Sequence, residues 1–345
     1  MQKKISIVVP CYNVTASIDM CMESLLNQTI GLDNIEIILV DDASTDNGVT
    51  VEQLLQYEKK FPDEVMVILL EENMRQGGAR NIGIQYATGE YLLFCDADDY
   101  LSLCAAERLY NAAQKYQVDV VEFRMKEIQD YSEMDSTLIS GDQGYLLDLT
   151  QENVRRAVIG LSNPQFGLGC MNKLYRMDMI HNYQICFAEH VIYEEPSFTF
   201  PVRCYERRHL YLDEILYYYV QWPESTMHAL DDEHDLDSMR VWNILKQDLE
   251  QRNLLHDYNW EFGKMYYSWG FILTLFQLMR KGKIITEELF DSLRAIVEEN
   301  FPQIRENPLF QENDEGYELE ILDMDYEQEK QSMLQEMVWQ CIGHK

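Results

Sequence analysis

The chain has 345 residues, with 28 Lys+Arg against 60 Asp+Glu, a formal net charge of −32 and a pI near 4.4. That length fits one large domain or two ordinary ones, and 46% hydrophobic with 12% aromatic residues excludes wholesale disorder. Such acidity also excludes duplex nucleic acid as the main partner, because phosphate binding needs a basic surface; a phosphorylated small ligand held through a metal ion stays open.

The first 125 residues alternate between two hydrophobic periods. Ile5–Val9 is a β-branched run that predicts a strand buried on both faces and stopped by Pro10. Ile18, Cys21, Met22, Leu25 and Leu26 recur at i, i+3, i+4, i+7 and i+8, which predicts an amphipathic helix over 16–28. Ile35–Val40 reads as a second strand running into Asp41-Asp42, and a helix follows through Val51, Leu54 and Leu55. Val65–Leu70 is a third strand, Ala79–Ala87 a helix, and Tyr91–Cys95 a fourth strand ending at Asp96-Ala97-Asp98-Asp99. Leu103–Tyr116 is helical again and Val118–Met125 extended. This alternation predicts an α/β fold, a Rossmann-like and mostly parallel sheet flanked by helices.

Residues 126–160 read as polar and irregular. From 170 to 228 the pattern is mixed and aromatic, with Tyr217-Tyr218-Tyr219-Val220 as a strand before the loop Gln221–His228. Helical spacing dominates from about 235: Leu236–Leu249, Tyr258–Met279, Glu287–Val297 and a last segment near 328–342. The expected division is one domain over 1–228, with halves 1–110 and 111–228, followed by a mainly α-helical region over 229–345. Residues 286–336 carry 16 acidic and 3 basic side chains, which reads as solvated surface. The eight Cys form no CxxC pair and have no His at zinc spacing, so they read as reduced, packed thiols. The N-terminal apolar run is too short for a secretory signal, and no stretch reaches the ~18–20 apolar residues of a membrane span. A cytoplasmic setting is expected. Met265–Met279, followed by Arg280, Lys281 and Lys283, leaves open a peripheral contact at the inner face of the membrane.

In a parallel sheet, ligands bind outside the carboxyl ends of the strands. Three polar clusters fall at those ends: Cys11-Tyr12-Asn13, Asp41-Asp42 and Asp96–Asp99. A hard cation such as Mn²⁺ or Mg²⁺ takes one or two carboxylates and fills its other sites with phosphate oxygens and water. Asp96-x-Asp98 offers that donor set; by itself it fits equally a helix cap with solvated neighbours.

Four motifs in sequence decide between these readings. Ile5-Ser-Ile-Val-Val-Pro-Cys-Tyr-Asn13, Val40-Asp-Asp-Ala-Ser-Thr-Asp46, Gly78-Ala-Arg-Asn-Ile-Gly83 and the run from Ala87 to Asp98-Asp99-Tyr100 resemble, in order and spacing, the family 2 glycosyltransferases of bacterial surface and capsular polysaccharide synthesis. The resemblance implies a GT-A fold and an inverting transfer of a sugar from a nucleoside diphosphate sugar, with a UDP-sugar as the expected donor, to a hydroxyl of a glycan, lipid-linked or protein-linked acceptor. It implies Mn²⁺ or Mg²⁺ as cofactor. It places the nucleotide sugar against Pro10, Tyr12, Asn13, Asp41, Asp42, Arg80, Asp96 and Ala97, with Tyr12 on the uracil ring and Asp42 accepting its N3–H. Arg80, opening the helix after Gly77-Gly78, would face the nucleotide or brace the carboxylates. Asp98, Asp96 and, in the Ser225/Thr226 loop, His228 are the implied metal ligands, with Asp99 behind them.

Further on, Asn172-Lys-Leu-Tyr-Arg176 and Tyr193-Glu-Glu-Pro-Ser-Phe198 look like the family's stretch that ends in a Glu-Asp pair. Here the pair is Glu194-Glu195. The resemblance makes Glu195, with Glu194 as the alternative, the base that takes the acceptor's proton; as plain structure, both open a helix through Pro196. The helical region would shape the acceptor side or a homodimer interface. Two other readings keep the acidic pocket: a non-catalytic nucleotide-sugar or carbohydrate-binding protein, and a sugar nucleotidyltransferase, which would usually carry a Gly-rich basic loop after the first strand.

Overall fold

The computed structural model describes residues 3–129, 144–160, 166–221, 234–310, 316–327 and 330–343. They form two compact units. The first takes the described residues of Met1–Arg155, Leu168–His190 and Phe198–Ala229; the second takes those of Arg156–Gly167, Val191–Ser197 and Leu230–Lys345. Two short segments inside the expected first domain, 156–167 and 191–197, thus group with the helical unit.

The first unit is built on one nine-stranded sheet ordered β3-β2-β1-β4-β8-β6-β9-β5, with β7 also on β9. Its strands are β1 Ile5–Cys11, β2 Ile35–Asp41, β3 Val65–Leu69, β4 Tyr91–Phe94, β5 Tyr100–Leu101, β6 Val120–Ile128, β7 Gly144–Asp148, β8 Lys173–Arg176 and β9 Arg208–Val220. Strands β1 to β4 pair parallel, as does the long β6–β9 pair, whereas β5, β7 and β8 are short antiparallel additions. The helices α1 Ile18–Leu26, α2 Val49–Lys60, α3 Arg75–Tyr86 and α4 Ala105–Tyr116 provide the crossovers. β1 is buried along its whole length, as expected of a strand covered on both faces.

Pro10 does not stop β1. It pairs in register with Val40 of β2, while β4 reaches only Phe94, opposite Val8. On the β4 side Pro10 therefore has no ladder to break, the edge-like setting in which a strand tolerates proline. Helix α3 begins one turn earlier than its apolar spacing indicates and lies tight on β1: a Cβ on Gly83 would meet Val8 Cγ1 at 2.3 Å. The stretch 126–160, expected to be irregular, contributes the end of β6, β7 and the helix α5 Glu152–Ile159. β9 runs 13 residues where four were expected, because its alternation is blurred by burial on both faces. The first unit also contains α6 Met177–Asn182 and most of α7 Glu195–Tyr205.

Beneath β6, β8 and β9 lies a closed charge network. Glu122 meets Lys173 Nζ at 3.0 Å and His209 Nε2 at 3.3 Å, and His209 Nδ1 meets Glu206 at 3.0 Å. Lys173 Nζ also donates to the Gly169 carbonyl at 2.7 Å.

The second unit is helical: α8 Asp237–Gln251, α9 Asn259–Met265, a π-helical turn Tyr266–Ile272, α10 Leu273–Arg280, α11 Glu287–Asn300, α12 Gly316–Leu322 and α13 Gln331–Gly343. Its core gathers Trp242, Phe262, Tyr266, Phe271 and Phe290. Met265, Phe271, Leu275 and Leu278 belong to that core, and Lys281 and Lys283 both pair with Asp235. The apolar stretch that suggested a bilayer contact is thus interior packing. No helix among the described residues is long and apolar enough to cross a membrane.

Candidate active site

The parallel register places the ends of β1 and β2 side by side, Cys11 opposite Asp41. From there the chain turns twice through left-handed backbone, at Asn13 (φ 53°) and Ala43 (φ 57°). Asn13 brackets the two turns: its N–H donates to Ser44 Oγ at 2.9 Å, and its Oδ1 accepts from the Thr45 N–H at 2.9 Å. Asp41 is buried and accepts from the Ser44 hydroxyl at 2.6 Å and its N–H at 3.2 Å. Side-chain-to-backbone bonds of this kind are how Asp and Asn hold tight turns. The Tyr12 ring is 43% exposed, its hydroxyl 3.3 Å from Thr45 Oγ1. Asp42 is buried and accepts from the Met74 N–H, at the start of α3, at 2.7 Å. Burial pushes its carboxyl up to about 6, against the pull of the Met74 and Arg75 amides.

At the end of β4 the Arg80 side chain is fully enclosed and donates to Asp96 Oδ1 at 2.7 Å, its guanidinium 5.4 Å from the Phe187 ring centroid. That ion pair is the bracing contact, one of the two roles open to Arg80. Arg80 also sits in the second turn of α3 rather than at its opening. Pro10 and Ala97 are buried. The Asp96 N–H donates to the Tyr217 hydroxyl at 3.0 Å, and that hydroxyl donates to Asp99 Oδ2 at 2.6 Å. Asp99 Oδ1 accepts from the Val220 N–H at 2.9 Å, so its carboxylate is spent on β9. Asp98, half-buried, is pushed up to about 6 first by desolvation and then by Asp96. Burial, then Asp98 and Asp96, drive Asp99 well above the carboxylate range.

Among the described residues no group of three His, Cys, Asp or Glu side chains is arranged to hold a metal. Asp96 and Asp98 alone match a cation that completes its shell with phosphate and water. An added positive charge would also offset the crowding that raises Asp98.

Glu194 and Glu195 lie in the second unit's segment 191–197. Glu195 is the first residue of α7; Glu194 is buried, and its carbonyl accepts from the Ser197 N–H at 2.9 Å and hydroxyl at 2.5 Å. His228, Ser225 and Thr226 lie outside the described residues. Sequence reading missed Tyr217 as a site residue; the only signal was three consecutive tyrosines on one strand, of which alternate members face one side. It also missed Asn81, which pins the Phe187 backbone from both sides at 2.8 and 3.0 Å and so holds the ring against Arg80. Two cavities, of about 880 and 400 Å³, lie in the second unit, and none of the residues singled out from sequence lines either.

Residues 6–156 match the family model described as glycosyl transferase family 2. The chain is 42% identical over 128 residues to a poly(ribitol-phosphate) beta-glucosyltransferase of Bacillus spizizenii, a match covering 36% of this chain and 19% of that protein. It is 29% identical over 315 residues to the putative glycosyltransferase EpsH of Bacillus subtilis, covering 90% of this chain and 85% of that one. The crystal structure of Staphylococcus aureus TarS 1–349 in complex with UDP-GlcNAc superposes with a TM-score of 0.56 at 21% identity, covering 88% and 90% of the two chains. That likeness speaks for the fold. Residues 6–156 thus form a glycosyl transferase family 2 domain, in a chain with a GT-A fold.

Proposed function

We propose that the chain transfers a sugar from a UDP-sugar, with inversion and with help from a divalent cation, to a hydroxyl of a growing cell-surface glycan. The observation that carries this reading is the edge of the sheet where exposed Tyr12, buried Asp42 and the adjacent carboxylates Asp96 and Asp98 follow parallel strands. Tyr12 offers a flat face to the uracil, and Asp42, with one oxygen on the Met74 amide, offers the other to the N3–H. Asp98 and Asp96 would hold Mn²⁺ or Mg²⁺. A bound cation supplies neutralisation of the charge that grows on the departing diphosphate. Arg80 keeps Asp96 oriented, and Tyr217 fixes the backbone between the two carboxylates. On the Glu-Glu motif we assign Glu195 as the base that takes the acceptor proton, with the buried Glu194 as the alternative. The relatives that build teichoic-acid and other surface polymers support the acceptor class.

A thermal-shift series with UDP, CDP and GDP, each with and without Mn²⁺, tests the donor part. Stabilisation by UDP that requires Mn²⁺ is the expected result; a preference for GDP or CDP overturns the uracil assignment. Glu195→Gln is expected to keep the UDP shift and lose turnover by about 10²-fold or more. Normal turnover in that variant would move the base elsewhere.

A further inference from the structure

We propose that the helical unit carries a second binding site, for a short stretch of neutral oligosaccharide, in the two adjoining cavities that share Asn259 and Trp260. This inference goes beyond the donor reading and rests on the second unit alone. The cavities measure about 880 and 400 Å³, the range of sites that hold small ligands. Trp260 and Asn259, at the start of α9, line both, so a ligand running from one to the other passes over the indole. The Trp260 backbone is anchored, its carbonyl accepting from the buried Asn307 Nδ2 at 2.7 Å.

The lining has unspent capacity. Among the described residues, the Trp260 ring has no aromatic or cationic partner, and the side-chain amides of Asn253 and Asn259 make no hydrogen bond. Glu261, its side chain 6% exposed, gives Oε1 to Arg156 at 2.9 Å, while its buried Oε2 has no partner. A buried carboxylate oxygen left in that state is costly, and a hydroxyl arriving from the cavity would satisfy it after a small side-chain rotation. Amides that both donate and accept, beside a flat apolar plate, suit a sugar, which presents C–H on its ring faces and hydroxyls around its edge. Charge selects the neutral kind: Glu250, Asp257 and Glu261 line the larger cavity against Arg156, so an anionic chain would meet net repulsion. Two cavities that share Asn259 and Trp260 suit a chain that reaches both over a single ring.

The test is isothermal titration of the full chain with maltohexaose, cellohexaose and chitohexaose, with hexagalacturonate as the anionic control and glucose as the monomer. At least one neutral hexasaccharide is expected to bind, about tenfold or more tighter than glucose. Trp260→Ala and Asn259→Ala should each weaken that binding by about tenfold. Both variants should keep the wild-type circular dichroism and the response to UDP with Mn²⁺. Asn259→Ala removes a half-buried amide that makes no hydrogen bond among the described residues, so it reports even if the tryptophan variant fails to fold. The proposal is overturned if no neutral hexasaccharide binds, if both folded variants bind as the wild type does, if glucose binds as tightly, or if hexagalacturonate does. A chain that binds hexasaccharide but shows no response to any nucleotide would sink the donor reading and leave this one standing.

Discussion

Two groups of buried carboxylates lie in the first unit, and they are shifted in opposite directions. Glu122 would be raised by its burial, yet Lys173 and then His209 hold it down at about 2. His209, whose burial alone would lower it, is lifted to about 9 chiefly by Glu206, with Glu122 adding to the effect. At the end of β4, burial with Asp96 for a neighbour raises Asp98 to about 6. Arg80 pairs with Asp96. Where the chain buries charge to build its own core, a cation holds the carboxylate down; at the end of β4 burial and carboxylate crowding prevail, and a cation arriving with a ligand would relieve them. The contrast separates a structural network from a candidate site without reference to any motif.

The strongest way to break this comparison is to remove the raised carboxyl. Asp98→Asn is expected to lower UDP-sugar turnover by about 10³-fold while the melting temperature at neutral pH stays level or rises, since a costly buried charge is gone. A melting temperature that fell with activity would place Asp98 among the structural carboxylates. Removing the counter-charge from the other group should do the reverse. Lys173→Met leaves Glu122 buried without its ammonium and is expected to destabilise the fold by about 3–5 kcal/mol in urea denaturation. In that variant residual activity should track the folded fraction.

The pH dependence sharpens the same contrast. Asp98 and Asp42 bind a proton more readily folded, at about 6, than unfolded, at 3.8. The native state therefore holds the extra protons between those values, and each group lowers stability by up to about 3 kcal/mol as pH rises from 4 to 6. Glu122 acts oppositely: its contribution is present above 4.5 and lost as pH falls towards about 2. His209 contributes below 6.5 and loses its contribution as pH rises through about 9. Denaturation midpoints followed from pH 3 to 10 should show the decline between 4 and 6, and Asp98→Asn should flatten it. The smallest effect is expected at Tyr217→Phe, which removes one hydroxyl from between Asp96 and Asp99. About 1–2 kcal/mol of stability should go, together with a weaker Mn²⁺ requirement for the UDP response; a change in melting temperature alone would make Tyr217 purely structural.

The alternation of apolar strands and amphipathic helices over residues 5–116 was legible in the sequence because each element there repeats its own period. The acidic clusters at strand ends were legible because a parallel βαβ chain puts those ends on one edge. Several features were not. β9 is buried on both sides and shows no alternation, β7 is an edge addition with little apolar signal, and Pro10 looked like a stop until the length of β4 was known. Glu194 and Glu195 were readable as a motif, but nothing local says that residues 191–197 group with the helical unit.

The sequence by itself therefore determined the class of fold and the family 2 domain over residues 6–156, since these follow from local periodicity and from short motifs read along the chain. Tertiary structure alone decided the surroundings of each carboxylate. Asp96 is taken by Arg80, Asp99 by Tyr217 and Val220, and Glu122 by Lys173 and His209. These partners lie 16 to 121 residues away along the chain, wholly outside the reach of any local pattern. Burial and charge balance are properties of the packed neighbourhood, and only folding creates that neighbourhood.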